Sequence, residues 1–152
     1  MTRSVLSILV GVAVYVALAF AASVALAEVS PEWFGPRGEV TRAGVLGLIL
    51  ALYAVFAVFA GWLAALLARR GETRHALAVG VAVAGLAVVS AVTSPDAAPG
   101  WFHAALVALG VPAAWLGGWA RARLSGRTVS QQAFTKTQPP PPAPKRARKR
   151  RK

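Results

Sequence analysis

The chain has 152 residues, 57% of them hydrophobic, with a mean hydropathy of +0.57 and a formal net charge of +12. That length holds one domain, and the apolar share exceeds that of ordinary soluble domains. Cysteine is absent, which excludes disulfides, thiolate catalysis and thiolate metal sites.

The charge is unevenly placed. Of the 17 Lys and Arg, 11 follow residue 120, so the chain reads as an apolar body carrying a basic tail. The apolar residues come in long blocks without amphipathic spacing, the pattern of membrane segments and not of a soluble core.

The first block runs from Ser4 to Ala27 behind a single cation, Arg3. Ala25-Leu26-Ala27 before Glu28 has the small-x-small form of a signal cleavage site, but a signal's apolar region is about 7–15 residues and this one is longer. An uncleaved first helix over residues 5–27 is therefore expected, with a cleaved signal as the alternative. Glu28 to Ala43 breaks the composition: two prolines and two glycines mark a loop, and Trp33-Phe34 can lie in an interface as an aromatic anchor.

The strongest segment follows. From Gly44 to Leu67 no residue is charged, and as a helix at 1.5 Å per residue this stretch spans about 36 Å, against a hydrocarbon core of about 30 Å. Arg69-Arg70 then stop it, with Trp62 near that end. A helix over 44–68 is expected. The link RRGETRH is short, so the next helix, expected over 76–93, returns antiparallel beside it. Ser94 to Gly100 is a turn with Asp96 and two prolines. A fourth helix is expected over 101–120, ended by Arg121 and Arg123, with Pro112 predicting a kink inside it.

Counting Lys and Arg orients the helices. The loops between helices one and two, two and three, and three and four hold two, three and none; the N-terminus holds one and the tail 11. Both termini and the middle link therefore fall on the cytoplasmic side. The fold class expected is an all-α membrane protein, a four-transmembrane-helix bundle over 1–123 with a disordered basic tail over 124–152.

That tail is the main functional signal. Pro139 to Pro144 favours a polyproline II spacer of about 19 Å. Beyond it lie Lys145, Arg146, Arg148, Lys149, Arg150, Arg151 and Lys152, a block suited to binding a polyanion. The ligand is anionic phospholipid, at about 1 kcal/mol per cation near an anionic leaflet, or nucleic acid held through its phosphates. No aromatic interleaves the block, so base stacking has no support. The plain alternative is a solvated tail that secures orientation.

The spans offer little else. Small residues four apart recur, Ala57/Gly61, Ala76/Gly80, Ala113/Gly117 and Ala114/Gly118, and suit close helix packing within the bundle or in a homo-oligomer. His75 and His103 are the two histidines, too few for a metal site with Asp96 alone nearby. No Asp, Glu, Lys or Arg falls inside the four expected spans, where ion and proton paths usually place them. No catalytic residue, cofactor or metal is expected. Tyr15, Tyr53, Ser90 and Thr93 are the polar residues that would face a shared pore if the protein were an oligomeric transporter or channel subunit.

The segments GWLAALLARR, RHALAVG and PGWFHAALVALGVPAAWLGGWARAR, between Gly61 and Arg123, resemble a group of small uncharacterised bacterial integral membrane proteins with four helices. The resemblance implies the four-helix architecture and a bacterial inner membrane, and no activity. The expected role is a non-enzymatic scaffold or tether whose tail engages anionic lipid or nucleic acid.

Overall fold

A computed structural model describes residues 2–36, 38–40, 42–68 and 72–136. Four α-helices make up almost all of it: α1, Thr2–Val29; α2, Ala43–Leu67; α3, Glu72–Thr93; and α4, Gly100–Lys136. All four are long and apolar enough to cross a membrane, over Val5–Val29, Ala43–Leu67, Thr73–Thr93 and Gly100–Ser125.

All four helices start before their expected first residues, and α1 and α4 also end later. α1 continues through Glu28 to Val29, and α3 starts at Glu72 because the link's polar residues suit a first helical turn. α4 differs most: its expected end at Ala120 is interior to a helix that reaches Lys136 and passes Pro112 without interruption. Arg121 and Arg123 end the apolar stretch, but arginine and alanine favour helix, and charge alone does not terminate one. The first proline after Pro112 is Pro139.

The helices run up-down-up-down. Phe102 of α4 packs with Leu46 and Ile49 of α2, and further along Ala114 lies against Gly61, so α2 and α4 are parallel. α1 and α3 are parallel as well, with Gly11 against Val79 and Tyr15 in one cluster with Val83. α2 and α3 meet in the middle of the bundle; α4 lies along one side of that pair and α1 along the other.

Alanines make up much of the interior, and many large apolar residues face outward. Ala60, Ala64, Ala65, Ala76 and Ala114 are fully buried, while Leu9, Phe20, Val55, Phe59, Val81, Val89 and Leu116 point outward. In water so much exposed apolar surface would drive association. In hydrocarbon it carries no penalty, and helices then associate through close packing of small residues. The glycines show how close: a Cβ on Gly61 would strike the carbonyl of Ala114, and one on Gly117 the carbonyl of Val58. Three of the four small-residue pairs noted in the sequence, Ala57/Gly61, Ala76/Gly80 and Ala113/Gly117, thus contribute glycines that meet neighbouring helices inside one chain.

At one end of the bundle two short 3-10 turns, Pro31–Trp33 and Pro95–Ala97, close the loops, each with proline at its start. The Val40 N–H donates to the Ala97 carbonyl at 3.1 Å, which ties the two loops together. Gly38, at φ 78°, turns the chain back so that the Gly35 N–H reaches the Glu39 carbonyl at 2.8 Å. A left-handed residue there favours glycine. Phe34, half-buried, packs against the cluster of Val40, Leu46, Ile49 and Phe102.

Candidate functional site

Charge divides between the two ends. Glu28, Glu32, Glu39 and Asp96 lie at the end closed by the 3-10 turns, with Arg42. Arg74, His75, Arg121 and Arg123 lie at the other, where α2 ends, α3 begins and α4 leaves the apolar stretch. The five tryptophans lie near the ends of the spans: Trp33 and Trp101 by the acidic end, and Trp62, Trp115 and Trp119 toward the basic end. Such placement suits two interfaces. Arg123 sits 3.9 Å above the centre of the Trp119 ring, which stacks in turn on Trp115 at 6.3 Å. The guanidinium is held on an aromatic face at the point where the span gives way to charge.

The expected polyanion ligands, Lys145, Arg146, Arg148, Lys149, Arg150, Arg151 and Lys152, lie outside the described residues, as do Arg69, Arg70 and the proline run. The described chain brings α4 to Lys136, about 16 Å past Ser125 at 1.5 Å per residue. The cationic segment therefore departs from the basic end.

A second site lies within the apolar part. Of the four polar residues expected to face a path, Tyr15, Tyr53 and Ser90 line one groove of about 310 Å³. α1 and α3 meet tightly where Gly11 faces Val79, and farther along they leave this opening, with Tyr53 of α2 and Leu106 of α4 as its floor. Thr93 is not part of it. Its hydroxyl donates to the Val89 carbonyl at 2.9 Å, and the residue borders a separate hollow with Glu39 and Asp96.

Ser23 joins the groove and was missed in the sequence, although it lies two helical turns from Tyr15 on α1. Its Oγ is 2.9 Å from the Ala19 carbonyl and 3.0 Å from the Tyr53 hydroxyl. A serine hydroxyl has one proton, and a carbonyl can only accept, so Ser23 donates to Ala19 and Tyr53 donates to Ser23. Tyr53 Oη retains acceptor capacity. Tyr15, 8% exposed, meets the Tyr53 ring edge-on at 6.4 Å, and no hydrogen bond of its hydroxyl is found among the described residues. Both rings also border a small, partly open space of about 10 Å³, at the lower limit for one water.

His103, in the first turn of α4, is a further buried polar group. It is 7% exposed, and neither ring nitrogen has a hydrogen-bond partner among the described residues. The ring meets Phe102 edge-on and borders an apolar hollow between α3 and α4. Among the described residues no three His, Asp or Glu side chains converge on a metal position.

No protein family, no curated protein and no solved structure matches this chain.

Proposed function

We propose that this is a multi-pass membrane protein with four crossings and both termini cytoplasmic. We infer a non-enzymatic scaffold or tether, whose basic tail holds anionic phospholipid or nucleic acid at the cytoplasmic face. The single observation that carries this reading is the division of charge. The described cations of the middle link and of α4 lie at the end from which the cationic tail departs, and the described carboxylates outside that link lie at the other. Positive residues on one side match cytoplasmic loops. The resemblance of Gly61 to Arg123 to small bacterial membrane proteins supports a bacterial inner membrane as its location. Anionic lipid has the advantage of proximity, since α4 already anchors the tail beside a leaflet.

Co-purification from detergent across a salt series tests the tether, with the full chain beside a chain ending at Pro144. Phospholipid and nucleic acid are quantified in each sample. Polyanion that is present only with the full chain, and falls steeply with salt, is the expected result. Equal and negligible amounts in both chains overturn the reading.

A permeation role is the second reading. The convergence of Tyr15, Tyr53 and Ser90 on one groove favours it, and the groove's open side requires a further copy to close a path. Removing the residues after Pro144 leaves permeation intact and abolishes tethering.

A further inference from the structure

We propose that the groove between α1 and α3 is a binding site for a neutral, membrane-soluble alcohol: a slender apolar molecule whose hydroxyl accepts a hydrogen bond from Tyr15 and donates one to Tyr53.

Four observations carry this. Among the described residues, no ionisable group other than the two tyrosines lines the groove, whose walls are Val16, Ala19, Phe20, Val83, Leu86 and Ala87. A charged ligand there would lack a counter-ion in a medium where that is costly, so the ligand is neutral. The groove opens on the flank of the bundle, among the outward-facing Val16, Phe20 and Leu86, so the ligand enters from hydrocarbon and not from water. Its volume of about 310 Å³ is at the low end for ligand sites, about 300–1,000 Å³. It suits one chain or one small ring system and is too small for a whole two-chain lipid.

The hydroxyl inventory sets the polar group. Tyr15 is more than nine-tenths buried and its proton is uncommitted among the described residues. The Tyr53 proton is committed to Ser23, which leaves Tyr53 an acceptor. A donor and an acceptor lining one groove are matched by an alcohol, which supplies both functions. A ketone satisfies only Tyr15, and a hydrocarbon neither.

The proposal rests on the membrane reading but not on the tether. Carbonate extraction of cell membranes reads the membrane residence separately. The full chain, reconstituted in phosphatidylcholine vesicles, is labelled with a long-chain alcohol carrying a terminal diazirine. Unlabelled dodecan-1-ol, dodecan-2-one and dodecane compete, and the adducts are mapped by mass spectrometry. Adducts on α1 and α3 around Phe20 and Leu86 are expected, with the alcohol competing best and the alkane not at all. Tyr15→Phe lowers labelling about two- to tenfold, the effect of one neutral hydrogen bond. Ala19→Phe, which fills the groove, abolishes it. Gel filtration and helix content confirm that both variants fold. Undiminished labelling of Tyr15→Phe overturns the site. Competition by dodecane equal to that of the alcohol overturns it too, and equal competition by the ketone overturns the assignment of an alcohol.

Discussion

At Gly61 and Gly117 the helices of this bundle come too close together for a side chain. A methyl group on Gly61 or Gly117 meets a backbone carbonyl of the facing helix, which cannot rotate aside as a side chain can. Gly61→Ala should therefore destabilise the bundle by about 1–3 kcal/mol, the range for overpacking. The same change at Gly85, which has nothing within 4 Å, should be neutral or stabilising by up to about 1 kcal/mol through helix propensity. Unfolding in mixed micelles measures both, and an equal effect at the two positions would refute the packing argument. His103 is the opposite case, a large buried polar group whose nitrogens find no partner among the described residues. His103→Leu removes that desolvation penalty at similar volume and should stabilise by about 1–3 kcal/mol, seen as a higher melting temperature. A lower melting temperature would show that the imidazole has a partner.

Among the elements, α4 links the two proposed roles. Its first part packs on α2 and α3 through Phe102, Gly110 and Ala114, and lends Leu106 to the groove floor. Its last part, from Arg121 to Lys136, remains helical after the apolar sequence has ended. A chain cut after Ala120 should lose the helical circular-dichroism signal of that stretch and keep the thermal transition of the bundle. An unchanged signal would return the helix end to Ala120. α1 differs in kind. It is tight against α3 at Gly11 and open beyond Tyr15, so it both holds the bundle and forms one wall of the groove.

For the whole molecule, the up-down-up-down order sends Asp96 and Arg123 to opposite ends. The absence of native cysteine makes the test direct. Asp96→Cys and Arg123→Cys, each in an otherwise unchanged chain, should react with a membrane-impermeant maleimide from opposite sides of sealed vesicles. Reaction of both from one side would refute four crossings. The small-residue pairs suited to joining two copies are in part occupied inside one copy, with Gly61 against α4 and Gly80 against Val111. A homo-oligomer must therefore use other surface, and the open flank between α1 and α3 is the one a shared path would need.

Much of this was legible in consecutive residues. Whether a stretch can cross hydrocarbon depends on its own length and charge, so four apolar blocks divided by charged or proline-bearing links specify four helices without reference to their neighbours. The sorting of cations follows from the same count, and close approach at the small-residue pairs from their spacing. Facing was not legible. These helices are apolar all round, so no periodicity marks which side turns inward. That Tyr15, Ser23, Tyr53 and Ser90 converge from three helices, that His103 is buried, and that Phe34 packs inward are consequences of packing between distant segments. The end of α4 was misplaced for a related reason. Arg121 stops the apolar run, but a helix is held by backbone hydrogen bonds that an arginine does not interrupt.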